Sequence, residues 1–161
     1  MRKLLAFLLA AMMLFSVVGC AGAAEEEEAT TVGGILLNDF KADAEGSAQE
    51  IAERLSANEV IPFEATTMAV EPGWLMGFDA EEITGFKDGV MFAPMIGTIP
   101  FVGYVFELED GADVDAFIET LTSSANLCWN ICTEAEEMTV DSEGNKVFFL
   151  MSPMTFEESA E

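Results

Sequence analysis

The sequence predicts an α+β domain: an antiparallel sheet of about five strands with two helices packed on one face. Three observations carry this. Two segments repeat apolar residues at helical spacing, one at Ala44–Asn58 and one running on from Val114. Five short apolar or alternating runs lie between turns rich in Gly, Pro and Asn. The order is helix, three strands, helix, two strands, so strands form hairpins rather than the βαβ units of a parallel sheet.

In the first helix, Ala44, Ala48, Ile51, Ala52 and Leu55 share one face, Glu50 and Arg54 form an i,i+4 pair on the wet side, and Asn58 stops the helix before Pro62. Thr66–Glu71 is the first strand, with Met68 and Val70 on one face and Pro72-Gly73 as the turn after it. Asp79 is an N-cap candidate for a single helical turn over Asp79–Glu82.

Gly89–Phe106 contains 18 residues without a charge. Pro94, Gly97, Pro100 and Gly103 argue against a membrane helix there, because no water would replace the hydrogen bonds they break. The better reading is two strands, Val90–Ala93 and Phe101–Leu108, joined by the loop Pro94–Pro100. That loop, PMIGTIP, is unusually apolar for a connection. Either it folds back over the core or it is an exposed patch that marks a ligand or partner site, with Trp74, Met95, Ile96, Ile99 and Phe101 as the candidate residues.

Asp110 or Asp113 caps the second long helix, whose apolar face is Val114, Phe117, Ile118, Leu121 and Ala125 and continues towards Cys128. The cysteines then point into the core. Met138–Asp141 and Lys146–Ser152 form a hairpin across Ser142–Asn145, and KVFFLMS, apolar on both faces, reads as a central strand.

The N-terminus sets the compartment. Arg2 and Lys3 precede an apolar or small run of 15 residues, Leu4–Val18, long enough for a signal-peptide core and short of the about 20 residues of a bilayer span. The run ends Val17-Val18-Gly19-Cys20, which resembles the lipobox of bacterial lipoproteins. The resemblance implies that Cys20 receives a diacylglyceryl group and that cleavage falls between Gly19 and Cys20. Two acyl chains then hold the protein on the outer, extracytoplasmic face of the cell membrane. An ordinary signal peptide cut after Ala21-Gly22-Ala23 is the competing reading.

Four segments follow: a signal peptide at 1–19, a lipidated Cys20 with an acidic disordered linker over 20–37, one α+β domain over 38–153, and an acidic tail over 154–161. The 142 residues from Cys20 onwards keep four basic side chains against 30 acidic ones, a net charge near −26. That excludes nucleic acid, whose phosphates need basic contacts, and disfavours anionic lipid. It leaves the membrane, through the lipid on Cys20, and an unknown protein or small ligand as partners.

Of the three cysteines, Cys128 and Cys132 remain once Cys20 is lipidated. Export permits a disulfide. On a helix, i,i+4 Cβ atoms lie about 5–6 Å apart, whereas a disulfide wants about 3.5–4.5 Å. A Cys128–Cys132 bond therefore needs a distorted or terminated helix; buried free thiols are the alternative.

No histidine is present, which removes Ser-His-Asp and Cys-His catalysis and ordinary zinc sites. No phosphate-binding glycine loop precedes a helix. Asp110, Asp113 and Asp115 lack the order of a calcium loop, and helix capping explains the first two. The pairs Met91/Met95 and Met151/Met154 would suit copper(I) but read better as core filler. No metal, cofactor or catalytic residue is assigned. Beyond Cys20 the chain looks like a family of short, uncharacterised lipoproteins of Gram-positive bacteria with an acidic linker and a small α+β domain. The similarity lies in Tyr104–Asp110 (YVFELED), the Val114–Leu121 helix and the hairpin Met138–Ser152, and it implies no catalytic residues. The expectation is a lipid-anchored module that binds something at the cell envelope. A carboxylate-dependent envelope hydrolase and a ligand-free structural envelope component are the alternatives.

Overall fold

The strands at the middle of the sheet are apolar on both sides, so each face needs a cover. The computed structural model describes residues 29–156. The expected signal peptide, Gly19, Cys20, the Glu25–Glu28 run and residues 157–161 lie outside the described residues. Three α-helices, α1 (Val32–Ala42), α2 (Ala48–Ser56) and α3 (Val114–Ser124), accompany five strands: β1 (Ala65–Val70), β2 (Asp88–Pro94), β3 (Val102–Glu107), β4 (Glu137–Glu143) and β5 (Lys146–Ser152). The strands form one antiparallel sheet in the order β1-β2-β3-β5-β4. The fold is thus α+β with the expected five-stranded antiparallel sheet, and KVFFLMS is a central strand.

The helices number three rather than two. Two share a face, but they are α1 and α2: α2 lies over β1, β2 and β3, and α1 over β4 and β5. Their apolar residues meet Val90, Phe92, Val105, Phe148 and Leu150 from the sheet. The opposite face carries Met91, Tyr104, Phe106, Val147, Phe149 and Met151, covered by Phe117 and Leu121 of α3 and by the connections 71–87 and 125–136. Period-2 alternation along β5 feeds both cores.

Helix α1 corrects the linker boundary at residue 37. Val32, Leu36 and Phe40 recur at i, i+4 and i+8 and are buried, with Thr31 as N-cap accepting from the Gly34 N–H at 3.1 Å. The Gly33-Gly34 pair that signals a spacer serves close packing instead. A Cβ on Gly33 would collide with Thr139 Oγ1 of β4. The Gly33 N–H donates to Glu137 Oε1 at 2.7 Å, which ties the start of α1 to the start of β4.

Other boundaries moved for local reasons. Helix α2 starts at Ala48, because Gly46 takes φ +93° and Ser47 and Glu50 form a capping box. With Glu50 held by Ser47, Arg54 does not pair with it and turns to the Asp39 carboxylate and the Asp43 carbonyl. Asp79 caps no helical turn and accepts from Asn126 Nδ2 at 2.6 Å. Helix α3 is capped by Asp113 through the Ala116 N–H at 3.0 Å and ends at Ser124. There Ala125 bridges to Phe78 and the Asn126 N–H donates to the Gly77 carbonyl. The acidic tail holds down one aromatic: Phe156 packs against Phe63 and Phe101.

Candidate interaction surface

The strand registers define one end of the sheet. Pro94 ends β2, Val102 begins β3 opposite Met151, and Glu137 begins β4 opposite Ser152. Helix α1 begins at this same end, where the Val32 N–H donates to the Met154 carbonyl at 2.8 Å. Two further segments converge here. A Cβ on Gly77 would press on Val102 and Met151, and the Tyr104 hydroxyl donates to the Met76 carbonyl at 2.9 Å. Burial holds that phenol well above the ordinary tyrosine range, so it stays a neutral donor. On the other side, Asn130 Nδ2 donates to the Ile99 carbonyl at 3.4 Å, and the Glu136 N–H donates to the Ser152 carbonyl.

The apolar loop is divided. Ile99 packs into the α1/α2 core and Phe101 is fully buried, whereas Met95 and Ile96 are 74% and 80% exposed. One half of PMIGTIP thus folds back over the core and the other half is exposed. Trp74 is 63% exposed and lies on the segment that crosses from the far end of β1, beside the Gly73–Ile83 bridge.

The structure adds Ile131, 89% exposed, and Met76, Met138 and Met154 to Met95 and Ile96. Six of the eight large exposed apolar side chains among the described residues therefore stand at this one end. Reading 125–132 as the tail of α3 hides Ile131 by pointing its neighbours inward. The available signal is Asn126 and Asn130: asparagine bonds to nearby backbone and favours turns over helix interiors. The Cys128 N–H indeed donates to Asn126 Oδ1 at 2.9 Å.

The cysteines are corrected by the same change. Cys128 and Cys132 lie in the irregular segment after α3, exposed and unbonded, not buried in the core. A hydrogen bond to the Glu134 carboxylate, with smaller effects of desolvation and of the Glu134 charge, raises the Cys128 thiol above its ordinary value. That keeps it in the less reactive thiol form.

Charge is distributed unevenly along the sheet. Lys87 bonds Glu107 at 3.1 Å, Lys146 pairs in register with Glu107 and Glu143, and Lys41 reaches Asp141 at 2.5 Å. These three lysines mark the far end, and Arg54 is occupied by Asp39. The apolar end carries acids: Glu136 accepts from the Met154 N–H, and Glu134 holds Cys128. Two shallow depressions flank the helices, about 360 Å³ beside Asn58 and Phe63 and about 570 Å³ between Gly46 and Gly144. Among the described residues no group of three His, Cys, Asp or Glu side chains is placed to share a metal ion. None of their helices is long and apolar enough to cross a membrane. Comparison with known proteins finds no matching family model, no matching curated protein and no matching solved structure.

Proposed function

We propose that this chain is a lipid-anchored extracytoplasmic lipoprotein, held on the outer face of the cell membrane through Cys20, and that its domain is an interaction module of the cell envelope. The observation that carries the second half is the clustering of Met76, Met95, Ile96, Ile131, Met138 and Met154 at one end of the sheet. Exposed apolar side chains gathered at one end and rimmed by polar groups mark binding surfaces. The first half rests on the n-region, the 15-residue apolar run and Cys20 occurring together. No enzymatic activity, cofactor or nucleic-acid partner is part of this reading.

Two substitutions test it on intact cells. Cys20→Ser removes the acylated atom and releases the protein from the membrane fraction; full retention of that variant contradicts the anchor. Ile96→Ser with Ile131→Ser leaves the core intact, since both side chains are exposed, and abolishes crosslinks to lipid or protein formed through the apolar end. Crosslinks unchanged by the double substitution contradict the interaction surface.

A further inference from the structure

We infer that the apolar end of the sheet seats on the bilayer that carries the Cys20 lipid, so that the protein touches its membrane twice. The inference rests on the proposed anchor and names the partner of the proposed surface. Its basis is where the chain enters the domain. The first described residue, Ala29, leads into Val32, whose N–H is bonded to Met154 at the apolar end. Nine peptide links join Cys20 to Ala29. A fully extended chain of that length reaches about 30 Å.

The strands hold six or seven residues. At about 3.3 Å per residue the sheet is about 20 Å long. To turn the far end to the bilayer, the tether would have to run the length of the domain and spend about two-thirds of its extended reach doing so. With the apolar end down it is slack. Tethering also keeps the bilayer at high effective concentration, so weak individual contacts suffice.

The form of the surface fits a fluid occupant. Met95 and Ile96, Ile131, and Met76 are exposed on three separate connections. Single side chains of this kind enter an interfacial layer one by one, where each contributes by the apolar area it removes from water. A second copy of the chain fits worse. It would bring Glu134 and Glu136 of both molecules together with no basic group of this end to offset them. The lack of bases also makes the seating apolar rather than electrostatic. It is therefore stronger on zwitterionic than on anionic lipid.

The test uses the mature chain, as extracted from membranes, in protein-free phosphatidylcholine vesicles. In a Cys128→Ser variant, Cys132 is the thiol beside Ile131 and takes a polarity-sensitive maleimide. A Glu143→Cys variant lacking both native thiols carries the same probe at the far hairpin. The inference predicts that the chain floats with the vesicles and that iodide quenches the Cys132 probe severalfold less than the Glu143→Cys probe. Ile96→Ser with Ile131→Ser removes that protection, lowering the weight of the seated form by about tenfold or more from the apolar area lost. A chain that floats with both probes equally quenched overturns the seating and leaves the anchor standing. A chain that does not float overturns the anchor, and the seating with it. Protection on native membranes but not on protein-free vesicles replaces the bilayer with a protein.

Discussion

Leu36→Ala separates a structural helix from a spacer. Leu36 is fully buried between Val32 and Phe40, and α1 lies over β4 and β5, where Phe148 and Leu150 are fully buried as well. Removing its isobutyl end leaves a cavity that Phe40 and Phe148, stacked at 5.6 Å between centroids, are poorly placed to fill. Leu→Ala at such a site costs about 2–5 kcal/mol. With a urea dependence of about 2 kcal/mol/M, the midpoint falls by about 1–2.5 M. The assay is urea unfolding of the chain from Ala21 onward, followed by tryptophan fluorescence and far-ultraviolet circular dichroism. Asn38→Ala, on the exposed side of the same helix, is the control and moves the midpoint by no more than about 0.3 M. A Leu36→Ala midpoint indistinguishable from that control would refute the placement of α1 in the core and restore the linker boundary at residue 37.

Three further outcomes follow from particular contacts. Gly103→Ala puts a Cβ into the ring of Phe92, which is fully buried, and destabilises the domain by about 1–3 kcal/mol in the same urea assay. Burial raises the Asp141 carboxyl, but hydrogen bonds from Lys41 and the Ser142 N–H, with the Lys41 charge, outweigh it and leave the group below its ordinary value. A depressed acid stabilises the fold above its unfolded value, about pH 3.9, and loses that contribution as pH falls through the folded value. Asp141→Asn therefore flattens the acid limb of the stability curve below about pH 4, by no more than an exposed ion pair allows. Glu134→Gln removes the bond that holds Cys128 protonated, so alkylation of Cys128 at neutral pH, followed by mass spectrometry in a Cys132→Ser background, becomes faster.

Strong periodicity made the sheet legible. KVFFLMS could only be a strand covered on both faces, and the turn around Gly144 fixed its hairpin partner. The covering layers were harder to read. The α1 pattern is short and opens with two glycines, a composition that favours spacers. Only the pairing of Gly33 with Thr139, 106 positions away, gives the glycine a packing purpose. Such a contact depends on which strand ends up at the edge, and local spacing does not carry that information. Helix α3 was placed by its apolar stripe, but its end was hidden because Ala125 and Cys128 continue the stripe, while Asn126 turns the backbone towards Gly77. The candidate surface was half legible for the same reason. Met95 and Ile96 stand out as apolar residues in a loop, but Ile131 joins them only once the chain after Ser124 leaves the helix. Trp74 drew attention by residue type and stands exposed beside the Gly73–Ile83 bridge.

The proposed anchor at Cys20 underlies both the proposed compartment and the inferred seating of the domain, and the intact mass of the mature protein extracted from membranes tests it most directly. The account predicts a chain beginning at Cys20 and carrying a diacylglyceryl group on its thiol. An unlipidated chain beginning at Ala24, cut after Ala21-Gly22-Ala23, would contradict it.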